Sequence, residues 1–124
     1  MNKLLKYSFY SLLITMMGSA IVQLFFPKYL IFPDLPAYSF FWQHEIGLWN
    51  ISLLPIFYGI LKHYNIIFLK YTIYSLIIGG ALLGTNHLIF FSKNHTAYMH
   101  LIGGIENYFF VILWSLGYYI EKNR

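Results

Sequence analysis

The chain has no cysteine, which excludes disulfides, thiolate nucleophiles, iron–sulfur clusters and cysteine zinc sites. Charge is scarce too. Asp, Glu, Lys and Arg make up 10% of the 124 residues, against roughly 25% in a soluble domain, so water is the wrong solvent for most of this chain. The four acidic residues are Asp34, Glu45, Glu106 and Glu121. Eight Lys and Arg residues bring the net charge to +4, but they are scattered among apolar runs and form no basic stripe, which argues against nucleic acid as a partner. Several motif-borne chemistries are missing as well. There is no G-x-S-x-G elbow, no His-Glu-x-x-His pair, no Glu-x-x-His of the di-iron bundles and no two histidines one helical turn apart, so no metal site is expected.

What the chain has in abundance is apolar length, with 59% hydrophobic and 22% aromatic residues. Lys3 and Lys6 precede a run reaching Phe26, about 23 residues that at ~1.5 Å each cross a ~30 Å hydrocarbon core. A first helix is predicted over 4–26. The basic start and the small residues Gly18, Ser19 and Ala20 imitate a signal-peptide cleavage site, but Ile21 to Phe26 carry the apolar run past it, so a retained span is expected. Pro27, Pro33 and Pro36 then break helix formation, and the stretch between mixes Tyr29, Phe32 and Tyr38 with Lys28 and Asp34, the composition of a loop at headgroup depth.

Three further helices are predicted over 40–61, 66–91 and 97–120, joined by polar turns at Lys62 to Asn65 and Ser92 to Thr96. Pro55 should kink the second of the four helices. Gly80 and Gly84 form a GxxxG spacing that lets another backbone approach closely, from this chain or from a second subunit. The expected fold is therefore all-α, a four-helix transmembrane bundle forming one domain over 1–124. Lys3, Lys6, Lys62, Lys70, Lys122 and Arg124 fall on one side of such a bundle and only Lys28 and Lys93 on the other, so both termini are expected in the cytoplasm.

That orientation collects the polar residues in the outer leaflet. Gln43, His44, Glu45 and Asn50 stand at the start of the second helix, Asn86 and His87 near the end of the third, and His100, Glu106 and Asn107 early in the fourth. Interhelical hydrogen bonds in bilayers return only ~0.6 kcal/mol on average, whereas a charged residue at a helix centre costs ~2.5 to 3.5 kcal/mol to insert. Two carboxylates and three histidines are more than glue requires, and a functional cavity is expected. Helical phase sorts its members. His87 lies over Gly80 and Gly84, His100 shares a stripe with Gly103, Gly104 and Asn107, and Glu45 shares a face with Trp49 and Ser52. Glu45, His87 and His100 are the leading ligand-binding candidates, with Asn86 and Asn107 as supporting donors, Glu106 deeper and His44 to one side.

The segments FWQHEIGLWNISLLPIFYGI, GTNHLIFF and HLIGGIEN resemble small four-helix integral membrane proteins of the DoxX-like neighbourhood. The resemblance implies a multi-pass protein of a bacterial inner membrane, with Glu45, Gly47, His87 and Glu106 as pocket positions and, in some members, a link to quinone-related oxidoreductases. The leading expectation is a pocket that binds a small or lipid-like molecule and titrates a proton. One alternative is a membrane oxidoreductase or electron carrier using haem or quinone. Another is an accessory subunit, docked by Gly80 and Gly84 in a homo-oligomer or larger membrane complex.

Overall fold

A computed structural model describes residues 1–27 and 38–124. Four helices follow in order: α1 (Lys3–Phe25), α2 (Tyr38–Lys62), α3 (Ile66–Lys93) and α4 (Tyr98–Lys122). The aromatic loop expected over 28–37 lies outside the described residues. α2 begins two residues earlier than expected and continues through Pro55 as one helix. α3 runs two residues further than expected, where the Ser92 hydroxyl donates to the Ile89 carbonyl at 2.7 Å and the Asn94 N–H closes the last turn onto Phe90 and Phe91.

The helix starts are capped where the sequence supplies a short polar side chain. Asn2 accepts from the Leu5 N–H at 2.9 Å, and Asn65 accepts from the N–H groups of Ile67 at 2.9 Å and Phe68 at 3.1 Å. Each cap satisfies donors that a helix N-terminus otherwise leaves orphaned.

α1, α3 and α4 are long and apolar enough to cross a membrane. α2 is not among them, because Gln43, His44, Glu45 and Asn50 interrupt its first half. Large apolar side chains face outward on all three, among them Ile14, Leu82 and Ile112, 71%, 68% and 56% exposed. Helices apolar on their outer faces as well as inside fit lipid rather than water.

The described residues fall into two compact units, residues 1–8 with 64–124, and residues 9–63. In the first, α3 and α4 form an antiparallel hairpin around the turn at 94–97, where the Asn94 side chain accepts from the Thr96 N–H at 3.2 Å and hydroxyl at 2.7 Å. The hairpin is closely packed because its contact residues are small. A Cβ at Gly80 would lie 2.8 Å from Val111, one at Gly84 3.0 Å from Tyr108, and one at Gly104 2.7 Å from Leu88 and 3.4 Å from the Gly84 carbonyl. The GxxxG face therefore meets α4 of the same chain. Around it, Trp114 stacks on Phe110 at 5.3 Å, and Tyr108 donates to the Thr85 hydroxyl at 2.7 Å, since the Thr85 proton is already given to the Ala81 carbonyl.

The second unit pairs the rest of α1 with α2, also antiparallel. Phe9 meets Phe57 at one end, and towards the other the Asn50 amide donates to the Ser19 hydroxyl at 3.3 Å and the Gln23 carbonyl at 3.1 Å. One turn from Asn50, a Cβ at Gly47 would sit 2.8 Å from Leu24.

These contacts separate neighbouring glycines sharply. Gly80→Leu and Gly84→Leu are expected to destabilise the hairpin by ~2 kcal/mol or more through overpacking, while Gly79→Ala, with open space around its Cβ position, should stay within ~0.5 kcal/mol. Reversible unfolding in mixed micelles measures the three; equal losses would show that the face at Gly80 and Gly84 is not a packed one.

Candidate functional site

The tight α3–α4 hairpin brings two imidazoles into contact. His87 Nδ1 lies 2.8 Å from His100 Nδ1, with ring centroids 5.0 Å apart. His87 rests over Gly103, where a Cβ would be 3.2 Å from its Cε1 and Nε2. Any larger residue at 103 would push the ring away. On the far side, Phe90 covers His100 at a centroid distance of 4.2 Å. Both histidines are half-buried.

The Nδ1···Nδ1 distance has a chemical consequence. It is a hydrogen-bond length, and one proton must lie between the two nitrogens, so the rings carry opposite tautomers. The donor ring keeps its proton on Nδ1 and has an accepting Nε2; the acceptor ring carries its proton on Nε2. The pair can take up one further proton and keep the bond, but not two. A metal held between these nitrogens at ~2.0 to 2.1 Å from each would need them ~3.3 to 4 Å apart, so the rings would have to part.

The other candidates stand as follows. Asn107 packs its Cβ against Gly84 and donates from Nδ2 to the Gly103 carbonyl at 2.7 Å, which fixes the turn of α4 beneath His87. Asn86 and Glu106 are exposed on α3 and α4. Glu45, Trp49 and His44 belong to the second unit and are exposed; Glu45 and Trp49 line a shallow open recess with Leu48 and Ser52. Among the described residues no group of three His, Asp or Glu side chains could hold a metal ion.

A second polar centre lies outside the pocket expected from the sequence, which left Glu121 unassigned. Glu121 is 9% exposed. Its Oε2 accepts from the Asn2 N–H at 2.6 Å, its Oε1 accepts from the Tyr64 hydroxyl at 2.7 Å, and the Met1 amino group and Arg124 guanidinium approach at 3.3 and 3.8 Å. The Asn2 amide also donates to the Gly117 carbonyl at 2.7 Å, and Leu5 packs against Gly117. One carboxylate thus ties the start of α1, the turn before α3 and the end of α4 together. A signal for it existed: a carboxylate in the last turn of a helix opposes the macrodipole and calls for compensating donors.

Compared with known proteins, the chain matches no family model, no curated protein and no solved structure.

Burial pushes the Tyr64 phenol up to about 12, assisted by its hydrogen bond and proximity to the Glu121 carboxylate. A phenol that keeps its proton more tightly when folded contributes stability that is whole below its ordinary value of 10.0 and is lost as pH rises through about 12. Tyr64→Phe should therefore flatten the decline in stability between those limits relative to the parent chain, measured by unfolding across an alkaline series. An identical decline in both would remove Tyr64 from the account.

Proposed function

We propose that this chain is a multi-pass integral membrane protein whose α3–α4 hairpin uses the His87–His100 pair to bind a small or lipid-like molecule through hydrogen bonds, with one exchangeable proton. α2 completes a four-span arrangement beside α1, both termini are cytoplasmic by the distribution of Lys and Arg, and the histidine pair then lies in the outer leaflet near the 94–97 turn. The single observation that carries the reading is the 2.8 Å Nδ1···Nδ1 contact inside apolar helices. Two imidazoles at membrane depth are costly to keep there, and their opposite tautomers suit a ligand carrying both a hydrogen-bond donor and an acceptor, such as a hydroxyl on an apolar body. Asn107 belongs to the site as a positioning residue. Glu45, Trp49, His44, Asn86 and Glu106 supply no contact that the reading needs. The DoxX-like resemblance adds no activity to it.

Organic extracts of the protein purified in mild detergent test the proposal. A hydroxyl- or carbonyl-bearing molecule should accompany the parent chain and fall at least tenfold in His100→Phe, while the variant still elutes as one sharp species. Matching extracts from a folded variant would overturn the binding role. Gly103→Ala should give an intermediate loss, because the added methyl displaces the His87 ring without removing it.

A further inference from the structure

We propose that the open groove between α1 and α2 holds one acyl chain of an anionic phospholipid, with the phosphate at Tyr58 and Lys62. The groove lies wholly within the second unit. Ile14, Met17, Ile51 and Leu54 form its apolar walls, and Tyr10 and Tyr58 stand together at one end, where the neighbouring Phe9 and Phe57 rings meet at 6.2 Å. From Tyr10 to Met17 it follows α1 for ~10 Å, about two-thirds of the ~15 Å apolar depth of one leaflet. An acyl chain lying beside the helices fills such a trough and needs no polar partner along its length.

The occupant is chosen by the groove's single charged end. Lys62, one turn beyond Tyr58, sends its Nζ back to within 3.4 Å of the Tyr58 hydroxyl and 5.7 Å of the ring centroid. It makes no ion pair with a carboxylate among the described residues. The one acidic residue described in this unit, Glu45, is 17 positions away on α2, which amounts to ~25 Å of helix. A cation and a phenol at the mouth of an apolar trough present a charge-assisted donor and, in the hydroxyl, a second donor to a phosphate at headgroup depth. A zwitterionic headgroup brings its own ammonium to the same place and loses that advantage. By the orientation proposed above, this end faces the cytoplasmic leaflet, where a Lys near the surface favours anionic lipid about fivefold.

The inference rests on the membrane placement and is independent of the histidine pair. Native mass spectrometry of the full chain, released from micelles holding equal amounts of phosphatidylglycerol and phosphatidylcholine, tests it. The parent chain should retain one phosphatidylglycerol about fivefold over phosphatidylcholine, Lys62→Gln should bring the two near parity, and Ile51→Trp, which adds bulk to an exposed groove wall, should lose both. Parity in the parent chain, or an undiminished preference in Lys62→Gln, would overturn the proposal. So would a lipid-free dimer mass, which would assign the groove to a second copy of the chain. Release of the chain from membranes by alkaline carbonate would instead defeat the membrane placement itself, and this inference with it.

Discussion

The closeness of α3 and α4 is the constraint from which the rest of the hairpin follows. Gly80, Gly84 and Gly104 leave no side chain between the two backbones, so Val111, Tyr108 and Leu88 fill the space that a Cβ would take. Dense packing of small residues against larger ones holds the two helices together, the kind of contact that associates apolar helices where hydrophobic gain is small. Gly103 extends the same principle to chemistry. Without a side chain at that position the His87 ring lies down on α4, and only then can its Nδ1 reach His100. The glycines thus act twice, first as a packing face and then as the floor of a site.

Several of the scarce polar groups act as joints between segments. Asn50 reaches Ser19 and Gln23 between α2 and α1, Thr85 and Tyr108 bridge α3 and α4, and Glu121 gathers Asn2, Tyr64, Met1 and Arg124. Each joins segments that apolar contact alone would leave free to slide. Glu121 is the most heavily used, and removing it would strand the buried Asn2 N–H and Met1 amino group, such a buried donor costing ~1 to 3 kcal/mol. The histidine pair differs from these joints in kind, since its two rings carry opposite tautomers around one shared proton.

Much of the fold was legible because apolar runs of helix-spanning length leave few alternatives, and the polar turns at 62–65 and 92–96 mark where the chain must reverse. The Gly80 and Gly84 spacing announced a packing face but not its partner, because spacing describes one helix and the partner lies on the next, at Asn107, Tyr108 and Val111. Helical phase put His87 and His100 on the glycine faces of successive helices, and their rings meet. It could not say which other polar residues would join them: Asn107 turned inward and bonded its own helix, while Asn86 and Glu106 stayed outside. Glu121 was missed because its meaning depends on Asn2, 119 positions away. The second helix was read as a span from its apolar run, but Gln43, His44, Glu45 and Asn50 interrupt the first half of that run, and among the described residues α1, α3 and α4 are the helices apolar enough to cross.

Helix packing brings two imidazoles together to share one proton inside an apolar hairpin. Nitrogen-15 spectra of histidine-labelled protein in bilayers test this sharing most directly. One protonated and one unprotonated Nδ1 are expected, coupled across the hydrogen bond, with the coupling lost in Gly103→Leu. Two uncoupled rings, each with the ordinary preference for the Nε2-protonated form, would contradict it.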